Sequence, residues 1–198
     1  MTSILKADTI QDTDGNNIIN ESGNTITIGA SGDTTNIVGT LQNNGAAVGG
    51  TNTPAFSVTR TSSQTLSSST VTKIQGNVEL LDTDGNYDNS TNYRFTPTTA
   101  GFYQFNLHCQ PSRTTSNTIG GLSIYIYKNG SSALTQSFSV DSAVENALGH
   151  SISGVLEANG SSDYFEAYIN FFVTSGTPSI GTSDGTRVFN FSGFKIIQ

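Results

Sequence analysis

The chain has 198 residues, a mass of 20.8 kDa, a net charge of −7 and a pI near 4.5, with only 12% of residues charged. An acidic, charge-poor surface repels phosphate backbones and anionic headgroups, which sets aside nucleic acid and membranes as partners. Hydrophobic content is 34% with no Trp, but 11 Phe and 7 Tyr are present. The polar remainder is rich in Ser, Thr, Asn and Gly, residues of strands and tight turns, so the expected class is all-β. A single Cys109 excludes an intramolecular disulfide framework. Residues 1–9 lack a basic run followed by an apolar one, which predicts no secretion signal and synthesis in the cytoplasm. No stretch approaches the roughly 18 apolar residues that span a bilayer.

Composition shifts near Gly49-Gly50-Thr51-Asn52-Thr53-Pro54, and aromatics are missing from residues 1–55. Before the shift, Thr25-Ile26-Thr27-Ile28-Gly29 alternates with a period of two, and Asn36-Ile37-Val38-Gly39-Thr40-Leu41 forms a second short apolar run. These residues are too few to enclose a core within one chain. Residues 1–53 are therefore expected to be an attachment or shaft segment, its apolar residues covered by other copies or by a larger assembly. A disordered polar tail is the competing reading.

From Phe56 onward strand signals recur. Strands are expected at residues 55–59, 70–74, 77–81, 93–95, 101–109, 122–128, 134–140, 150–156, 164–172 and 188–197. Turn signals such as Asp84-Gly85-Asn86 and Asn129-Gly130 separate many of them. Ten short strands at this spacing predict a sandwich or barrel over residues 54–198. Ser142-Ala143-Val144-Glu145 carries a capping-box pattern, but the stretch before Gly149 is about two turns long and is read as a loop. The run Leu122-Ser123-Ile124-Tyr125-Ile126-Tyr127 is apolar at nearly every position, which predicts cover on both faces. One sandwich has one interior. Ile124, Tyr125, Ile126 and Tyr127 are therefore the expected subunit contact of an oligomer.

The segment Phe95-Thr-Pro-Thr-Thr-Ala-Gly101-Phe102-Tyr103-Gln104-Phe105 resembles the central signature of C1q domains, an aromatic followed after five residues by Gly-x-Tyr-x-Phe. Gly101 permits a tight entry into the strand, and Tyr103, Phe105 and Leu107 then fall on one face. Tyr87-Asp88-Asn89-Ser90-Thr91 is similar to the family's Tyr-Asp-x-Ser-Thr turn, with the aromatic displaced by one residue. Residues 55–58 resemble its first strand and residues 124–130 its Tyr-x-Tyr-Lys-Asn-Gly hairpin. The ending Phe189-Asn190-Phe191-Ser192-Gly193-Phe194 resembles its closing strand. The signature and core positions are accordingly Phe56, Phe95, Gly101, Tyr103, Phe105, Phe191, Gly193 and Phe194. The resemblance implies a ten-stranded C1q/TNF-type jelly roll that assembles as a homotrimer and acts by binding. No Gly-x-y collagen stalk precedes it. In its place stands a Thr/Asn/Gly/Ile segment resembling the front of short bacteriophage virion proteins.

Chemistry-bearing residues are sparse. Asp-Thr-Asp-Gly-Asn occurs at residues 12–16 and 82–86, and closely spaced Asp82 and Asp84 beside a glycine turn offer hard oxygen ligands. Calcium is the one cofactor the sequence admits, at these two residues, and a plain hairpin turn is the competing reading. Glu157 and Glu166 are the one carboxylate pair near neighbouring expected strands. Cys109 and His108 point to opposite faces as strand neighbours, and no nucleophile elbow or phosphate loop is present. Non-enzymatic function is therefore expected. Recognition is placed in the loops at residues 112–117 and 174–186, with Arg113, Asp184 and Arg187 as the ligand-binding candidates.

These readings predict a homotrimeric virion protein (a phage tail fibre, head fibre or capsid decoration). Its first segment would join capsid or tail proteins, and its head would bind a host surface glycan or protein. A bacterial C1q-like carbohydrate-binding or adhesion protein outside any virion is the alternative.

Overall fold

The computed structural model describes residues 37–39, 41–43, 46–47, 52–113, 119–143, 148–181 and 188–196, without the side chains of 43, 46–47, 113 and 140–143. The chain divides into two compact units, Met1–Gly49 and Gly50–Gln198, slightly before the expected 53/54 boundary. In the first unit, β1 (Gln42–Asn43) pairs antiparallel with β2 (Ala46–Ala47). Ile37, Val38 and Leu41 there are exposed. The alternating segment at residues 25–29 lies outside the described residues.

The second unit is all-β, with no helix among the described residues. Its strands are β3 (Ala55–Thr59), β4 (Gln64–Thr65), β5 (Thr72–Lys73), β6 (Val78–Asp82), β7 (Tyr87–Asp88), β8 (Arg94–Phe95), β9 (Gly101–Cys109), β10 (Ser112–Arg113), β11 (Ile119–Lys128), β12 (Ser131–Ala143), β13 (His150–Ala158), β14 (Phe165–Val173), β15 (Pro178–Ile180) and β16 (Phe189–Lys195). One main sheet has the order β13-β9-β16-β3-β6. The other has the order β12-β11-β14-β8-β7, with β5 also on β14. Neighbouring strands far apart in sequence, such as β3 beside β16, give the crossed connectivity of a jelly roll.

Alternation decides what lies between the sheets. In β9 the burial pattern places Tyr103, Phe105, Leu107 and Cys109 inward. In β11 it turns Leu122, Ile124 and Ile126 inward. These meet Phe56, Phe95, Phe165, Ile169 and Phe191 in one continuous core. Phe105 is its hub, with ring centroids of Phe165 at 4.4 Å, Phe191 at 6.1 Å, Tyr103 at 6.2 Å, and Phe56 and Phe95 each at 6.3 Å. Aromatic pairs at this spacing add to the stabilisation from buried area.

Cys109 is fully buried, and desolvation pushes its thiol well above the usual range. Thiol reactivity requires the thiolate. Labelling of Cys109 by a thiol reagent at pH 8 should therefore follow the unfolding transition in denaturant; fast labelling of the native protein would contradict this packing.

Candidate functional site

The residues of the resembling signature take distinct parts. Phe56, Phe95, Tyr103, Phe105 and Phe191 are core. Gly101 sits at φ +143, outside the range that side-chain-bearing residues favour. Gly193 lies where an added Cβ would be 2.8 Å from Phe105 Cδ1 and 2.9 Å from Phe56 Cε1. Phe194 is a correction. It follows an inward position, so the pleat turns it outward, and it is 37% exposed.

The turn at Asp88 is organised by one carboxylate. Its Oδ1 accepts the backbone N–H of Ser90 and Thr91, and its Oδ2 accepts the backbone N–H and side-chain amide of Asn92. These donors, the Thr91 amide foremost, hold the Asp88 carboxyl well below the usual carboxylate range. Asp88→Ala should destabilise the head by about 1–2 kcal/mol, the size of a lost carboxylate cap. Because the folded pKa lies below the unfolded one, this stabilisation is present above about pH 4 and is lost as pH falls further. Melting curves should then show a smaller acid loss in Asp88→Ala than in the parent; equal losses would contradict the assigned role.

Asp82 and Asp84 are placed differently. Asp82 Oδ1 accepts the N–H of Asn86 and Oδ2 that of Tyr87, so both oxygens hold the hairpin turn, while Asp84 is exposed. Among the described residues no group of three or more His, Cys, Asp or Glu is placed to hold a metal. Glu157 and Glu166 do not meet: β13 and β14 belong to opposite sheets. Glu166 instead pairs with Lys73 at 2.6 Å. His108 Nδ1 lies 3.0 Å from Ser151 Oγ, and among the described residues no carboxylate hydrogen-bonds that imidazole to complete a hydrolytic set.

The two loops expected to carry recognition are joined at their bases. Ser112 of β10 pairs with Ser179 of β15 and Arg113 with Pro178, and β15 continues onto β4. Asp184 and Arg187 lie outside the described residues.

The two outer faces of the sandwich differ in chemistry. On the five-stranded sheet, β9 presents Phe102, Gln104, Asn106 and His108. The register sets Glu157, Val155, Ser153 and Ser151 of β13 beside them. On the other flank, Phe194, Ser192 and Asn190 of β16 stand opposite Gln104, Asn106 and His108. Of these eleven side chains only Glu157 carries a formal charge at neutral pH. Phe102 and Val155 are 40% and 48% exposed, at the same end as Phe194. The other end forms a shallow groove of about 330 Å³ lined by Asn106, His108, Ser151, Ser153 and Asn190 together with Leu107 and Ile152.

On the six-stranded sheet, β11 presents Ser123, Tyr125 and Tyr127 opposite Asn170, Tyr168 and Glu166 of β14. The Tyr127 and Tyr168 rings stack at 4.1 Å and 23°, and Tyr125 meets Tyr127 edge-on at 5.9 Å and 86°. This corrects the expected subunit contact at Ile124 and Ile126. Ile124 and Ile126 are fully buried inside a single chain and have nothing left for a neighbour to cover. Tyr125 and Tyr127 do face outward, but they cover one another together with Tyr168. Phe102, Val155, Tyr168 and the groove residues escaped the sequence reading, because only strand register shows which residues share a face.

No protein-family model matches the sequence, and no curated protein matches it. Among solved structures, the globular domain of zebrafish complement 1qA protein is 22% identical. That match covers 73% of this chain and 98% of that one, with a TM-score of 0.49. The TNF structure Eiger from S. frugiperda is 9% identical, with 73% of this chain and 92% of that one covered and a TM-score of 0.52. At these identities likeness speaks for the fold alone, and here the second match joins the sheet topology. The second unit is a C1q/TNF-like jelly roll. Within the jelly roll, the closing strand β16 lies between β9 and β3, so the resembling segments at residues 55–58, 101–105 and 189–194 become neighbours in one sheet.

Proposed function

We propose that the chain is a structural virion protein, a short trimeric fibre or decoration of a bacteriophage particle. Residues 1–53 join it to capsid or tail proteins, and the jelly roll faces outward to bind a host surface glycan or protein. The observation that carries the reading is the outer face of the five-stranded sheet. Across β13, β9 and β16 its side chains are almost uncharged, and Phe102, Val155 and Phe194 stand open at one end. Depletion of charge around a cluster of aromatic and aliphatic side chains is the composition of an interface core. That face suits contact with further copies of the chain, in the homotrimer implied by the C1q resemblance. The Thr/Asn/Gly/Ile segment before the jelly roll supports the virion part of the reading. Trimeric display multiplies weak single-head contacts into firm attachment.

Deleting residues 1–49 tests the division of labour. The remaining unit should stay soluble and oligomeric, yet fail to join particles assembled in its presence. Normal incorporation of the shortened chain would refute the anchoring role.

A further inference from the structure

We propose that the outer face of the six-stranded sheet, centred on Tyr125, Tyr127 and Tyr168, is a binding platform for a neutral polysaccharide. This rests on the attachment reading and names both the surface and the class of ligand.

The register assembles the platform from three strands. Tyr125 lies between Thr135 of β12 and Tyr168 of β14, and Ser123 lies between Ser137 and Asn170. Three aromatic rings thus share one face with two flanking hydroxyl residues, Thr135 and Ser137, and an amide. A pyranose has the matching pattern, an apolar C–H face edged by hydroxyls. Tyrosine suits it because a rigid ring supplies contact area at low entropic cost, while its hydroxyl keeps a polar edge.

The rings are held before any ligand arrives. Glu166 is buried, ion-paired to Lys73 at 2.6 Å, and accepts the Tyr168 hydroxyl at 3.4 Å. Lys73 Nζ stands 5.9 Å from the centre of the Tyr168 ring, and Tyr168 in turn stacks on Tyr127. Preorganisation of this kind removes much of the ordering cost of binding. Asn170, beside the rings, leaves its buried Oδ1 without a donor.

Charge selects among glycans. The nearby cations are engaged: Lys73 with Glu166, Lys128 with Asp163, and Arg94 over the Tyr164 ring. The chain as a whole carries −7. An acidic polymer would meet repulsion with no free cation among the described residues of the platform to offset it, whereas an uncharged one meets none. Area argues against another copy of the chain as occupant. A tyrosine buries roughly 150–250 Å² when fully covered, and these three are each already mostly covered, so together they leave no more than about 250 Å². A specific protein interface takes about 800 Å² per partner.

The absence of Trp makes the test direct, because near-ultraviolet signals of the protein come chiefly from its tyrosines. The full chain is titrated with dextran, a mannan and a galactan, with hyaluronate as the acidic comparator. Tyrosine fluorescence and retardation in polysaccharide-containing gels are followed together. At least one neutral polymer should perturb the tyrosines and slow the protein. Tyr127→Ala combined with Tyr168→Ala should weaken that binding at least tenfold, while Asn106→Ala on the opposite face leaves it unchanged. Tyr127→Ser alone, with an unshifted melting curve, should show a partial loss and separates binding from folding. Silence toward all three neutral polymers, preference for hyaluronate, or binding that survives the double substitution would each overturn the platform. Adsorption to host cells is scored separately. If the double variant still adsorbs, the platform is wrong and the attachment reading stands. If the parent protein fails to adsorb, the attachment reading itself fails.

Discussion

Phe105→Ala is expected to lower the stability of the jelly roll by about 3–5 kcal/mol, the cost of removing a large buried aromatic and leaving a cavity. The value belongs at the upper end, because the Phe105 ring lies within 6.3 Å of five other aromatic rings drawn from both sheets. Domains of this size are stable by only about 5–15 kcal/mol in total. The melting temperature should fall by roughly 6–20 °C, from about 2–4 °C per kcal/mol. Gly193→Ala attacks the same place from the other side. Its new methyl would press on Phe105, Phe56 and the Gln104 carbonyl oxygen, 3.1 Å away, at a cost of about 1–3 kcal/mol for overpacking. Leu80→Ala, at an exposed position, should change stability by no more than about 0.5 kcal/mol. Thermal melts of the three variants check the ranking. A Phe105→Ala melt as mild as that of Leu80→Ala would mean that the core is not organised around this ring.

The second large effect concerns assembly. Val155 and Phe194 flank Gln104 on the outer face of the five-stranded sheet, and each is more than a third exposed in the single chain. If copies meet on this face, a carboxylate at both positions would be buried without a partner, a loss of several kcal/mol at each contact. Val155→Asp combined with Phe194→Asp should therefore release monomers with unchanged far-ultraviolet circular dichroism, since neither side chain points into the core. The same pair of changes at Tyr125 and Tyr127 should leave the oligomer intact. An oligomer that survives the first pair but not the second would return the contact to the tyrosine face.

The contrast between those two faces shows how far the sequence could be read. Strand positions in the jelly roll were legible because alternation and turn chemistry are local: the expected strands at residues 55–59 and 101–109 coincide with β3 and β9. The paired segments β4, β10 and β15 were not, since two or three residues carry no periodic signal and exist only through partners distant in sequence. β11 was misjudged for a different reason. Counting tyrosine as simply apolar made Ile124, Tyr125, Ile126 and Tyr127 look greasy on both sides. The pleat in fact sends the isoleucines inward and the amphipathic rings outward. Phe194 failed similarly, because its place in a family-like ending says nothing of which face it occupies. The open apolar residues of the other face, Phe102 and Val155, come from paired strands and lie more than fifty residues apart in sequence. No window along the chain contains both.

The proposed fibre requires association of identical chains through the five-stranded sheet. Light scattering coupled to size-exclusion chromatography at micromolar concentration measures it in one run. A homotrimer of 20.8 kDa chains should elute at about 62 kDa and stay there on tenfold dilution. A peak near 21 kDa would contradict the proposed assembly.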